Sequence, residues 1–446
     1  PGDYDDKYIR WRPQDLPIVP TEWKLLITDS SRQQFETVKE LIGKADIIVN
    51  AGDPDREGQL LVDEVLYFVG NTKPVQRILL NALDEKSVKS ALGDLRDNKD
   101  FHNLYQSALA RARADWLIGM NLSRAYTLSE RYKGNKVTLP IGRVKTPTLA
   151  LVVRRERELA DFKPVDYFTV KILYTHENGT FWATWQPKDE QKGLDPDGRL
   201  INKGVAESLV QQLASSPDGV VKSVTKSKKK DLQRLPLSLS SLQVLAGKAY
   251  SYDPQTVLDT AQKLYEKKLT TYPRSDCEYL PPNQYGDRMA ILSNLAQSGD
   301  EKLSQWAQNA DRNIKSRAWN EKKITAHHAI IPTTVACNVN SLTQAERNIY
   351  FLISQAYIAQ FYGEHVYEQT RIVVGQCEEE FVANGRVVIE EGWKSLYKRQ
   401  KSKTNADGDE PDLTDERGAE SGPKKDAIEE ADHLPSVKKN DSVQYT

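Results

Sequence analysis

The six residues Ala45-Asp46-Ile47-Ile48-Val49-Asn50 constrain this chain more than any other stretch. Their β-branched, nearly continuous apolar character belongs to a strand covered on both faces, and such strands occur in parallel sheets flanked by helices. The neighbourhood agrees. Residues 32–43 have amphipathic helical spacing, as do Gln59 to Val69, while Val75 to Leu80 reads as a second strand and a further helix starts near Asp84. Alternation of this kind predicts an α/β domain. Between the first strand and its helix lies Gly52-Asp53-Pro54-Asp55-Arg56-Glu57-Gly58, at the strand end where open α/β sheets bind ligands. Asp53, Asp55 and Glu57 stand at alternate positions, crowding negative charge unless a cation neutralises it. Oxygen donors without His or Cys favour a hard ion, Mg²⁺ with several waters kept. A solvated acidic turn has the same spacing.

Residues 101–128 carry one long helical pattern that includes Arg111, Arg113, Asp115 and Arg124. Arginines on such a helix are ordinarily solvated ion-pair partners. Pro140-Ile141-Gly142-Arg143-Val144-Lys145-Thr146-Pro147 follows, where a glycine beside an arginine lets backbone approach a strand closely. From Asp166 the apolar period changes to two. Tyr167 to Leu173, Phe181 to Trp185, Val366 to Val374 and Phe381 to Glu390 all alternate as strands. The lysines at 222, 226, 228, 229 and 230 read as a solvated face or a linker. Helices are expected from Ser238 to Tyr250, from Pro254 behind an Asp253 cap to about Tyr265, and over 341–363 with Ser341 as cap.

Leu269-Thr270-Thr271-Tyr272-Pro273-Arg274-Ser275-Asp276-Cys277 follows the second of these helices directly. A phenol can attack phosphorus and hold a cut strand covalently. Deprotonating it at pH 7 costs roughly 4 kcal/mol from an unperturbed pKa near 10. The guanidinium of Arg274 can offset part of that by gripping phosphate oxygens. An ordinary surface turn uses the same residue types.

The chain's 446 residues allow two to four domains. At 39% hydrophobic and 28% charged it reads as soluble and globular, with no membrane-length apolar run and no signal-peptide pattern, so a cytoplasmic location is expected. Three widely spaced cysteines, Cys277, Cys337 and Cys377, indicate neither a disulfide framework nor a zinc site. Residues 401–446 hold seven Lys/Arg against twelve Asp/Glu, so the overall charge of −1 leaves about +4 on the first 400 residues. That balance suits a phosphate ligand without proving one.

Together these strings resemble the type IA DNA topoisomerases, the bacterial topoisomerase III group in particular. Gln262-Lys263-Leu264-Tyr265 through Asp276 is similar to the family's active-site segment, and Asp53-x-Asp55-x-Glu57 to the motif of Toprim domains. Ile141 to Pro147 is similar to a Ser-x-Gly-Arg-Val-Gln-Thr-Pro motif, with Pro140 in place of the usual serine and Lys145 in place of glutamine. His327-His328-Ala329-Ile330-Ile331-Pro332-Thr333 is similar to a His-x-Ala-Ile-x-Pro-Thr segment. The resemblance implies transient cleavage of one DNA strand through a 5′-phosphotyrosine on Tyr272, strand passage and resealing, with Mg²⁺ and without ATP. No Gly-x-x-x-x-Gly-Lys-[Ser/Thr] phosphate loop occurs. Catalytic residues so implied are Tyr272, Arg274, His327 and Glu57; metal ligands are Asp53, Asp55 and Glu57. DNA contacts are implied for Arg111, Asp115, Arg124, Arg131, Gly142, Arg143, Val144, Lys145 and Arg274.

The implied fold is a multidomain α/β + α + β assembly of the toroidal type IA kind. Its parts are a Toprim-like α/β domain over 1–100, a helical DNA-groove domain over 101–165, a β-rich arch over 166–236 and 363–400, and a helical domain over 237–362 carrying the tyrosine. An acidic disordered loop is expected over 401–433 and the start of a strand segment over 434–446. The family's first Toprim strand, ending in Glu-Lys-Pro, is expected to precede residue 1, and poor cleavage by this chain is expected in consequence. The partner implied is single-stranded DNA or RNA, and a monomer is expected. A binding module without chemistry is the alternative, and a Toprim nuclease or primase is a third reading that Tyr272 argues against.

Overall fold

The computed structural model describes residues 1–188, 190–324, 327–398 and 430–445. The chain divides into two compact units, Pro1–Phe162 and Lys163–Thr446.

In the first unit, α1 (Arg32–Lys44) leads into β1 (Ile48–Asn50), then α2 (Arg56–Phe68) and β2 (Val75–Arg77). β1 and β2 are parallel, with Ile48 opposite Val75 and Asn50 opposite Arg77. α3 (Glu85–Leu92) starts at an Asp84 cap that accepts from the Ser87 amide, and β3 (Arg96–Asp97) closes a three-stranded sheet antiparallel to β2. Lys73 fixes the end of α1, its ammonium donating to the carbonyls of Ile42, Gly43 and Ala45. α4 (His102–Tyr132) is the expected long helix. The amino-terminal segment is lashed along it: Asn121 pairs with both backbone groups of Ile18, at 2.6 and 2.9 Å. α5 (Lys145–Ala160) begins inside the Gly-Arg-Val-Lys stretch.

The second unit contains a closed sheet and a helical body. β4 (Lys171–His176) and β5 (Gly179–Gln186) form a hairpin, with α6 (Lys203–Ser215) following behind an Asn202 cap. β6 (Asp218–Asp231), β7 (His365–Gln376), β8 (Glu379–Glu390), β9 (Glu430–Ala431) and β10 (Ser442–Tyr445) complete the order β5-β4-β10-β6-β7-β8-β9, and β5 also pairs with β8. The ring encloses Ile172, Tyr174, Phe181, Val221, Ile372, Val374, Phe381 and Val443, all buried. The basic run is therefore strand and not linker. Lysine is a poor strand former, but Lys222, Lys226 and Lys230 each meet a glutamate, at 3.0, 3.4 and 2.7 Å, and such ion pairs offset the intrinsic preference.

The helical body comprises α7 (Leu239–Tyr250), α8 (Pro254–Glu266), α9 (Arg288–Ala296), α10 (Glu301–Asn309) and α11 (Gln344–Ile358). Its core includes Leu242, Val257, Leu264, Leu292, Ile349, Ile353, Tyr357 and Phe361. Asp253 caps α8 as expected, accepting from the amides of Gln255 and Thr256 at 3.0 Å. The cap of α11 is Thr343 and not Ser341, which lies in a short 3₁₀ turn. Thr343 and Glu346 form a reciprocal capping box, and Glu346 also takes the Lys267 ammonium at 2.7 Å, which decides the start point. The expectation for 401–433 falls almost wholly outside the described residues. No helix among the described residues is long and apolar enough to cross a membrane.

Candidate active site

The segment bearing Tyr272 is held by a partner 60 residues away. After α8, Lys268 takes a left-handed conformation (φ 65°) and turns the chain back, with the Leu269 amide bonded to the Leu264 carbonyl. Thr270 then bridges antiparallel to Pro332, the Thr271 amide donates to Ile331 at 2.9 Å, and the Thr333 amide donates to Leu269 at 3.0 Å. The Thr271 hydroxyl adds two bonds, donating to the Ala329 carbonyl and accepting from the Ile331 amide at 3.0 Å. The resulting clasp brings His327 beside Tyr272, with ring centroids 5.2 Å apart and tilted by 40°. Tyr265, the penultimate residue of α8, presents its ring edge-on to Tyr272 at 5.5 Å. Tyr272 is 2% exposed and His327 7%, whereas Arg274 is on the surface. Local spacing does not reveal the Tyr265 contact.

Around this clasp the other groups are structural. The Ser275 carbonyl accepts the first amide of α7 at 2.8 Å, and the Ser275 hydroxyl accepts the Cys277 amide. Burial pushes the Cys277 thiol up, consistent with a packing residue. His328 is fully enclosed. Its Nδ1 donates to its neighbour Ala329's carbonyl at 2.8 Å and its Nε2 accepts from Gln284 at 3.0 Å, which fixes a neutral tautomer. Burial, with His327 adding to it, pushes its pKa down to about 4.

In the first unit, the acidic loop is built around two close backbone approaches and a buried arginine. A Cβ on Gly52 would meet the Gly58 carbonyl at 2.6 Å, and one on Gly58 the Asp53 amide nitrogen at 2.6 Å, so the loop closes only with glycine at both positions. Asp55 caps α2, accepting from the Gly58 amide at 2.6 Å. Beneath the loop, Arg77 is 1% exposed and donates to the carbonyls of Gly52 and Asp53 at 2.7 and 2.6 Å, and to that of Asn50 at 3.1 Å. Burial pulls the Arg77 pKa down, while Asp63, Asp55 and Asp53 pull it back up. The sequence held a signal for it, a charge inside the apolar run Val75 to Leu80, since arginine is almost never buried without partners. Asn50, Gln59, Asp63 and Asn98 form an amide–carboxylate network alongside.

Asp53 and Asp55 are half-buried carboxylates whose donor chemistry fits a hard divalent ion. Glu57 stands differently: it is ion-paired to Arg56 at 3.1 Å and to Arg111. Among the described residues no three acidic, His or Cys side chains are gathered to hold a metal.

From Glu57 a line of alternating charges continues. Arg111 lies 3.9 Å from Asp115, and Asp115 accepts two bonds from Arg143 at 2.7 and 3.2 Å. The Arg143 bond, followed by the charges of Arg143 and Arg111, holds the Asp115 carboxyl below its usual range. Gly142 enters α5 under a 3.1 Å bond from its amide to the Thr146 hydroxyl, while the Ile141 amide donates to Ser123. Val144 and Lys145 are exposed at the start of α5. Arg124 is 5% exposed, donating to the Tyr8 carbonyl at 2.8 Å and lying over Trp11, with Arg131 over the same ring at 5.6 Å.

Residues 99–443 match the family model described as DNA topoisomerase. The chain is 42% identical over 410 residues to the DNA topoisomerase 3 of Vibrio cholerae, covering 90% of this chain and 63% of that protein. It is 41% identical over 415 residues to the DNA topoisomerase 3 of Salmonella typhimurium, covering 92% and 63%. It thus spans just under two thirds of the length of these curated relatives. The structure of full-length topoisomerase I from Thermotoga maritima superposes with a TM-score of 0.65 at 20% identity, covering 95% of this chain and 62% of that one, so the fold is shared. On the family match over three quarters of its length and on these relatives, the chain belongs to the DNA topoisomerase family.

Proposed function

We propose that this chain carries the cleavage centre of a type IA, topoisomerase III-like enzyme acting on single-stranded DNA without ATP. The observation that supports this best is the clasp that sets the rings of Tyr272 and His327 beside one another, centroids 5.2 Å apart and tilted by 40°, in the two segments that resemble the family's active-site motifs. The Tyr272 hydroxyl attacks a backbone phosphorus. The new O–P bond replaces the bond to the 3′ oxygen, which leaves as a 3′ hydroxyl after taking a proton, and the tyrosyl ester retains the energy for resealing. Arg274 meets the phosphate oxygens, and His327 donates to them or relays the phenolic proton. Because Tyr272 is 2% exposed, attack requires a movement that uncovers the phenol.

Asp53 and Asp55, in a Toprim-like domain over 1–100, are the residues proposed to hold Mg²⁺, with Glu57 supporting the ion or moving protons. Bound there, the ion neutralises the acidic loop and orients phosphate. Arg111, Arg131, Arg143 and Lys145 are proposed to meet the DNA backbone, with Asp115 setting the Arg143 fork and Gly142 and Val144 shaping the turn. Arg124 takes part by fixing the Tyr8–Trp11 segment. Residues 101–165 form the groove, 166–236 and 363–400 the arch, and 237–362 the tyrosine domain.

The test is denaturant trapping of a labelled single-stranded oligonucleotide with Mg²⁺, comparing the chain with its Tyr272→Phe variant. A protein-linked band that disappears in the variant is expected. A band that survives in Tyr272→Phe refutes the assignment, and no band in either, with oligonucleotide binding intact, supports the binding-only reading.

A further inference from the structure

The lysine-rich strand leaves a surface that this cleavage chemistry does not use. Beyond the closed ring, β6, β7 and β8 run on together as a three-stranded ribbon. The register sorts its side chains onto two faces: Lys229 stands opposite Tyr367, Ser227 opposite Gln369 and Thr225 opposite Arg371 on one face. On the third strand the same face continues with Val388, Arg386 and Asn384. Lys226, Lys228, Lys230, Glu368 and Glu390 lie on the opposite face, where Lys226 is paired to Glu368.

The charges are thereby segregated. The first face carries Lys229, Arg386 and Arg371 on successive rows, each about 7 Å further along the strands from a rise of about 3.4 Å per residue. In these rows the carboxylate among the described residues is Asp231, at the ribbon's end, and Lys394 already meets it at 2.5 Å. Arg386 lies 3.7 Å over the Tyr367 ring, steadied by Asp231 at 3.4 Å. Lys229 and Arg371 are exposed and have no ion-pair partner among the described residues. Evenly spaced cations interleaved with an aromatic ring and with Ser, Thr, Gln and Asn hydrogen-bonding groups match a phosphate backbone with stackable bases.

We propose that this face of the β6–β8 ribbon is a second docking track for single-stranded DNA, separate from the residues that carry cleavage. Lys229 and Arg371 take phosphates, and the Arg386–Tyr367 pair offers a stacking platform between them. The assignment rests on the proposed function for its ligand class.

The test measures oligonucleotide affinity of the whole chain across a salt series, for the wild type and for Lys229→Ala/Arg371→Ala. Each phosphate contact on a single strand contributes about 0.7 to the slope of log K against log salt, so two lost contacts reduce it by about 1.4. In that electrostatic term alone, affinity falls roughly 60-fold at 0.05 M salt and roughly threefold at 0.5 M. The charge-preserving Lys229→Arg/Arg371→Lys variant retains the wild-type slope, and Lys226→Ala/Lys228→Ala, on the opposite face, changes it by less than half as much. An unchanged slope in the double alanine variant, with its urea midpoint intact, overturns the proposal. So does an equal loss from the opposite-face pair, which would mean diffuse attraction only. The covalent adduct is read on the same samples at saturating oligonucleotide: its absence from wild type refutes the cleavage reading, whatever the slopes show.

Discussion

Arg77 is the residue on which the acidic loop depends most, and replacing it by methionine tests that dependence. The side chain is 1% exposed and supplies charge-assisted bonds to the carbonyls of Gly52 and Asp53 at 2.7 and 2.6 Å. Bonds to a charged donor contribute about 1.5–3 kcal/mol each, so two amount to about 3–6 kcal/mol. Methionine fills most of the volume, and releasing a buried cation from its desolvation returns part of the loss. A net cost of about 2–4 kcal/mol remains, and in a unit of this size that lowers the midpoint of its melting transition by about 5–15 °C. Arg77→Lys separates charge from geometry. An ammonium keeps the compensation of Asp53, Asp55 and Asp63 but cannot span both carbonyls as the planar fork does, so it recovers less than half of the loss.

Scanning calorimetry gives the cost, and hydrogen exchange at the amides of Asp55 and Gly58 locates it, since these amides are bonded to the Asp53 carbonyl and the Asp55 side chain. Faster exchange confined to residues 50–58 is expected. A methionine variant within 0.5 kcal/mol of wild type, or a lysine variant indistinguishable from it, refutes the reasoning.

Gly58→Ala should cost about 1–3 kcal/mol, because the new methyl meets Asp53 backbone that cannot move aside. Gly43→Ala, in α1 with nothing within 4 Å, should instead gain about 0.5–1 kcal/mol, and thermal melts of the pair check both signs. His328 gives a pH dependence. Its folded pKa of about 4 lies below the ordinary 6.5, so its stability contribution is complete above pH 6.5 and is lost as pH falls from 6.5 toward 4. The ceiling is about 3 kcal/mol. Urea midpoints at pH 7 and 4.5 should therefore draw together in His328→Asn, and an unaltered pH dependence refutes the assignment.

Local chemistry made some of this legible from the residues. The parallel strand, acidic loop and helix follow from apolar run, turn residues and cap, but the strand is not covered on both faces as expected, since Ile47 and Val49 are 56% and 43% exposed; the Asp253-Pro254 start of α8 follows from a cap followed by a preset φ. Other features depend on partners far along the chain. The lysines of β6 look like a solvated run until Glu364, Glu368 and Glu380 come opposite, some 140 residues later. Tyr272 and His327 are 55 positions apart, and nothing in either segment alone states that a threonine hydroxyl will tie them into one clasp. Only the resemblance to a family placed the two together beforehand. Arg77 lay in plain view as a charge in an apolar strand, but its role appears only once the loop carbonyls close over it.

If the proposed metal and DNA sites hold, the line Arg56, Glu57, Arg111, Asp115, Arg143 would make metal and strand binding interdependent. Each arginine in it is paired to a carboxylate, so a phosphate reaching Arg111 must displace Glu57 or share the guanidinium with it. An ion held by Asp53 and Asp55 would compete with Arg111 for the Glu57 carboxylate and so leave Arg111 more available. Each ligand therefore removes an obstacle to the other, and thermodynamic linkage requires the two effects to be equal. Because these pairs are about 40% exposed, solvent screening keeps the coupling to about 1 kcal/mol, or roughly fivefold. Calorimetric Mg²⁺ titrations with and without a saturating oligonucleotide should differ by that factor, and oligonucleotide titrations with and without Mg²⁺ by the same one. In Glu57→Gln the amide no longer restrains Arg111 as a counter-charge, so the coupling should fall toward unity while oligonucleotide affinity without Mg²⁺ rises. Coupling that survives Glu57→Gln at full size refutes the exchange of partners and locates the linkage elsewhere in the unit.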